Sequence, residues 1–208
     1  MDKLILSLLR VSVLFVRNVY NCFNSPYVTY RKLSQGKAFS QTVFIILLTL
    51  LYFLFVSFIR NGLSNPFFLT VKFNTLFLFS SSAFAAIILI LFSLGRMVGG
   101  KGEITKVYIL WTFSLIPTLL WFFAASVLYL ILPPPRTLSI AGKLYSLVFV
   151  AFSLAMLIWK SILYYLTLRF ALKLDLWRIL VISAVFLPVL VVYTVGMYRL
   201  GIFRIPFI

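Results

Sequence analysis

Few side chains in this sequence could do chemistry, and their types are narrowly restricted. Among 208 residues there is no histidine, one cysteine (Cys22) and three acids, Asp2, Glu103 and Asp175. Metal sites built from His, Cys and carboxylate clusters are therefore out of reach. Neither a Ser-His-Asp nor a Cys-His arrangement can be assembled, and a paired-carboxylate site would need two of the three acids to converge from different loops. A lone cysteine forms no intramolecular disulfide. The expectation is a protein that is not an enzyme and uses no metal and no cofactor.

Two features still carry chemical potential. Gly95-Arg96-Met97-Val98-Gly99-Gly100-Lys101-Gly102 has the spacing of the first seven positions of a phosphate-binding loop. The eighth position, where a Ser or Thr hydroxyl should meet magnesium, is Gly102, and an apolar segment rather than a strand precedes the motif. The segment reads as a flexible basic loop suited to lipid phosphates or a protein partner, with Arg96, Gly99, Gly100, Lys101 and Gly102 as candidate contacts, supported by Arg31 and Lys32. The second feature is Lys160, the one charge within a long apolar stretch. An ammonium in hydrocarbon must snorkel, pair or meet water. Lys160 lies about 12 Å, at helical rise, from the inner end of its stretch at Leu168, and a lysine stem covers about half of that. Snorkelling or a bond to a freed carbonyl is the structural reading, and a role in transport is the functional one.

The elements that position these residues are apolar and long. Hydrophobic residues make up 63% of the chain, more than a soluble domain of this size could hide. Five stretches, over about 42–59, 73–94, 107–132, 144–168 and 179–198, have the length of membrane-crossing helices; the first is the shortest and draws on its flanks. The fold class is an all-α integral membrane protein, with residues 1–24 as an interfacial helix and 25–208 as a five-helix transmembrane domain. Lys and Arg number 19 against three acids, for a formal charge of +16. They gather at the ends of the spans, where they meet anionic headgroups, rather than on a folded surface for nucleic acid. Twelve fall on the N-terminal side of the membrane and six on the other, which predicts N-inside, C-outside.

Residues 1–24 place Lys3, Ser7, Arg10, Arg17 and Asn21 on one helical face, with Leu4, Ile5, Leu8, Val11, Phe15 and Val19 over much of the rest. That pattern suits a helix lying in the membrane surface. Asn24-Ser25-Pro26 ends it, and Tyr27–Gln41 leads into the first span. Asn61-Gly62 and Asn65-Pro66 are turn signals, and Pro133-Pro134-Pro135 is a stiff stop. Ser81/Ala85, Ser82/Ala86 and Ala151/Ala155 are small pairs that let helices approach closely. Pro117 and Pro188 lie inside spans three and five. Each frees a carbonyl, of Phe113 and Ala184, that needs a partner within the protein. No internal repeat is visible, which argues against an inverted-repeat transporter.

Gly99-Gly100-Lys101-Gly102-Glu103-Ile104-Thr105-Lys106, running on to Ser114-Leu115-Ile116-Pro117, resembles the Ypt-interacting-protein (Yip) domain family of five-span membrane proteins. Ser25-Pro26 with Tyr30-Arg31-Lys32-Leu33 before the first span is a second point of likeness. Eukaryotic members are implicated in vesicle trafficking with small GTPases and with one another, and carry long cytosolic N-terminal regions. This chain, with about forty residues there, is more similar to compact prokaryotic members. The resemblance implies a multi-pass protein of the cell membrane in a prokaryote, or of the endoplasmic reticulum or Golgi in a eukaryote. The expected function is a membrane scaffold or adaptor. Its partners would be anionic lipids and a membrane or cytoplasmic protein, a second copy of the chain among them. A small permease or transporter subunit is the alternative.

Overall fold

The computed structural model describes residues 2–36, 38–61, 66–131 and 140–202, and every regular element among them is helical. In chain order these are α1 (Asp2–Asn24), α2 (Pro26–Gln35), α3 (Phe39–Asn61), α4 (Pro66–Met97), α5 (Ile104–Phe113), α6 (Ile116–Ile131), α7 (Ile140–Ala171) and α8 (Leu176–Arg199). Five segments are long and apolar enough to cross a membrane: Phe39–Ile59, Thr70–Met97, Ile104–Leu128, Gly142–Ala171 and Leu176–Arg199. They match the apolar stretches of the sequence to within a few residues. The turn signals at 62–65 and the proline run at 133–135 lie outside the described residues.

Pro26 explains the first boundary. α1 closes at Asn24, with the Ser25 amide bonded to the Asn21 carbonyl at 2.8 Å. Pro26 then opens α2 at a position where its missing N–H costs nothing. The lead-in thus begins as a short helix.

The chain folds as two compact units. One comprises residues up to Tyr52 together with Leu110–Leu166; the other comprises Phe53–Ile109 and the residues from Thr167 onward. In the first, α1 and α2 are tied to the spans by specific contacts. Phe15 meets Phe44 with ring centroids 4.8 Å apart, Asn18 Nδ2 donates to Gln41 Oε1 at 2.7 Å, and Trp159 Nε1 donates to the Cys22 carbonyl at 3.2 Å. The fully buried Tyr30 donates its hydroxyl to the Leu110 carbonyl at 3.3 Å. Deeper in the unit, Trp121 Nε1 donates to Ser153 Oγ at 2.9 Å, and Tyr52 Oη lies 3.1 Å from Ser126 Oγ. Such pairs satisfy polar groups where hydrocarbon offers no partner. In the second unit, Leu91, Val107, Leu168, Leu172 and Ile182 form the interior, and Tyr193 Oη donates to the Phe79 carbonyl at 3.3 Å.

α1 departs from a simple two-faced helix. Val11, Phe15 and Cys22 turn toward the unit's interior, while Leu6, Leu9, Val13, Val16 and Tyr20 form a second apolar stripe that is exposed. The residues opposite the basic face divide in two because the helix rests on protein along one side. The small pairs also differ from expectation. Ser81, Ala85, Ser82, Ala86, Ala151 and Ala155 are all exposed, so among the described residues no helix packs closely on them. Pro188 is likewise exposed, and α8 runs through it unbroken.

Candidate functional site

The Gly95–Gly102 segment is a tightly bonded corner, not the flexible loop its composition suggested. At the end of α4, the Gly100 amide donates to the Gly95 carbonyl at 2.8 Å and the Gly99 amide to the Arg96 carbonyl at 3.0 Å. These are the paired bonds of a Schellman cap, which needs one left-handed residue. Gly99 supplies it at φ +84°. The Lys101 amide then donates to the Leu172 carbonyl at 3.1 Å, fastening the segment to the turn after α7.

Packing against that turn explains the other glycines. A Cβ on Gly102 would run into the Ala171 carbonyl oxygen and the Leu172 Cα, and one on Gly100 would stand 2.7 Å from the Gly95 oxygen and 3.1 Å from the Leu172 oxygen. Gly100 and Gly102 are buried. These glycines serve backbone-to-backbone approach and leave no cradle open for a nucleotide. On the other side of the contact Lys173 takes φ 56°, left-handed and costly for a non-glycine.

Around this rigid backbone the cations project outward. Arg96 and Lys101 are exposed, as are Lys173 and Arg178. Arg96 Cζ lies 5.3 Å from the Phe92 ring centroid, and Arg178 Nη1 donates to the Gly99 carbonyl at 3.3 Å. The basic surface is therefore larger than the motif. Lys173 and Arg178 lie more than seventy residues downstream, and no local sequence signal connects them to the loop. Glu103 pairs with Lys106 at 3.2 Å, and Asp175 stands at the N-cap position of α8 without a side-chain cap bond, so neither acid converges with another. No group of three or more His, Cys, Asp or Glu that could hold a metal occurs among the described residues. Arg31 and Lys32 are exposed on α2 and belong to the other unit.

Lys160 is engaged within that first unit. The third span is not one helix: α5 stops at Phe113 and α6 begins at Ile116, just ahead of the buried Pro117. Lys160 Nζ donates to the Ser114 carbonyl at 2.6 Å, with Ser114 Oγ 3.3 Å away. It also stands 5.0 Å from the Trp111 ring centroid. Ser114 Oγ in turn donates to the Trp111 carbonyl at 2.7 Å. The ammonium thus caps the helix break itself, one residue past the Phe113 carbonyl singled out by the proline rule. Cys22 is fully buried, and burial pushes its thiol up to about 12, which makes it an inert core residue rather than a nucleophile.

A family profile described as the Yip1 domain matches residues 20–197, from the last turns of α1 to those of α8. No curated protein and no solved structure matches the chain. With most of its length matched and five helices long enough to span a bilayer, this multi-pass membrane protein belongs to the Yip1 domain family.

Proposed function

We propose that this protein is a non-enzymatic membrane scaffold or adaptor. Its N-terminus is cytoplasmic, and the basic face built on Gly95–Gly102 is where it engages anionic lipid or a protein partner. One observation carries the reading. The Schellman cap and the Lys101–Leu172 backbone bond fix the loop while leaving the Arg96 and Lys101 side chains exposed. A fixed backbone presenting exposed cations loses little entropy on meeting an anionic surface, and juxtamembrane lysines and arginines each contribute about 1 kcal/mol there. The bias of Lys and Arg toward the N-terminal side supports the orientation.

The permease reading finds less support. It rests on Lys160 and the proline positions, yet the Lys160 ammonium is already held by Ser114 and Trp111, and α8 is uninterrupted at Pro188. The test is to reconstitute full-length protein in neutral-lipid vesicles and measure how many anionic vesicles co-float with them. Arg96→Glu with Lys101→Glu should abolish the recovery. Unchanged recovery would remove the loop from the account.

A further inference from the structure

A second polar feature lies in the other unit, away from the glycine loop. A cavity of about 590 Å³ opens between α1, α2 and the first turn of α3. Its walls carry two cations, Arg17 and Lys32, together with the amides of Asn18, Asn21 and Gln41 and the hydroxyls of Ser25 and Thr29. Leu14, Val28 and Leu33 give it an apolar side. Both cations are exposed, and among the described residues neither forms an ion pair. The unit's sole acid is Asp2, fifteen residues before Arg17 in the same helix and so about 22 Å away along its axis. The unit thus brings no carboxylate near either cation.

The amide geometry suits an anion. Gln41, itself buried, accepts from Asn18 through Oε1 at 2.7 Å, which leaves its NH₂ end as a donor. A guanidinium, an ammonium and side-chain amides are the donor set that phosphate oxygens favour. The volume falls within the range of small-molecule sites, about 300–1,000 Å³, so it accommodates an ester group as well as the phosphate. The cavity's Ala38 and Gln41 flank Phe39, where the first span begins, and the end of a span is where headgroups would meet it. The exposed α1 stripe of Leu6, Leu9, Val13 and Val16 suits acyl chains at the same level.

We infer that this cavity is a binding site for a phosphate ester of glycerol size. The phosphate meets Arg17, Lys32 and the Gln41 amide, and the organic part lies on Leu14, Val28 and Leu33. Two sources carry that chemistry, an anionic phospholipid headgroup and a soluble glycerol phosphate, and the experiment separates them. Full-length protein in neutral detergent is titrated with dioctanoyl phosphatidate, dioctanoyl phosphatidylcholine and glycerol 3-phosphate, with tryptophan fluorescence as the readout. Saturable binding of phosphatidate and not phosphatidylcholine is expected. Displacement by glycerol 3-phosphate assigns a soluble ligand, and failure to displace assigns a lipid. Arg17→Gln with Lys32→Gln should weaken binding about tenfold or more, while Arg10→Gln with Lys143→Gln, of equal charge loss but outside the cavity, should change it less than about threefold. The loop reading is tested on recovery of anionic vesicles and this one on saturable binding and the position of the adducts, so the two can fail separately. A photoactivatable phosphatidate on unmodified protein provides a check independent of variant folding, with adducts expected within residues 14–41. Absence of saturable binding, equal binding by the Arg17/Lys32 variant, or adducts confined to other segments would overturn the assignment.

Discussion

Two helix interruptions in this protein solve the same problem with different residues, and a lysine stands beside each. At the end of α4 the freed carbonyls of Gly95 and Arg96 are met by the backbone amides of Gly100 and Gly99. The Lys101 side chain is left exposed. At the α5–α6 break the Ser114 carbonyl is met by a side chain, Lys160. The difference follows from the residue at the turn. A glycine in the left-handed region lets the chain close on its own amides, whereas a proline two residues on removes an amide from the supply. The same residue type is therefore a structural cap in one place and a free surface charge in the other.

That contrast yields predictions of decreasing size. Gly102→Ala sets a methyl against the backbone of Ala171 and Leu172, which no rotamer change relieves. It should cost about 3 kcal/mol or more, read as loss of monodisperse protein or a large fall in Tm. Lys160→Met leaves the Ser114 carbonyl without its donor and should cost about 1–3 kcal/mol by the same measurement. Equal stability to wild type would show that the break needs no cap. Gly99→Ala, held at φ +84°, should cost about 1–2 kcal/mol. Arg96→Glu/Lys101→Glu should alter stability by no more than about 0.5 kcal/mol while changing recovery of anionic vesicles.

Cys22 gives a quieter probe of the first break. Its carbonyl accepts from Trp159, the neighbour of Lys160, and burial raises its thiol to about 12. At pH 8 about one thiol in 10⁴ is then ionised, so maleimide labelling should be slow and should accelerate as pH rises toward that value. The folded value lies above that of the unfolded thiol, so the associated stability is complete below the unfolded pKa and falls as pH approaches 12. Faster labelling at pH 8 in Lys160→Met would show that losing the cap loosens the packing around α1.

Much of this was legible in the sequence for a physical reason: spans are set by length and hydrophobicity, which are local. The five segments, the helical nature of residues 2–24 and the disruption near Pro117 all belong to that class. What eluded sequence reading depends on distant partners. The loop looked flexible because its glycines have no visible purpose until Ala171 and Leu172 lie against them. Lys173 and Arg178 join its surface only through that contact. The small pairs of α4 and α7 read as packing faces, yet they are exposed, since periodicity marks a face without saying what covers it. α2 could have been anticipated, because Ser25-Pro26 is an N-cap followed by proline at the first helical position.

The central claim is that Lys101 and Arg96 act outward while Lys160 acts inward. Vesicle co-flotation and thermal unfolding, measured on the same two reconstituted variants, test it most directly. Arg96→Glu/Lys101→Glu should lose anionic-vesicle recovery at unchanged Tm, and Lys160→Met should keep recovery at a lowered Tm. The reverse pattern, with recovery lost in Lys160→Met and retained in the loop variant, would contradict the account.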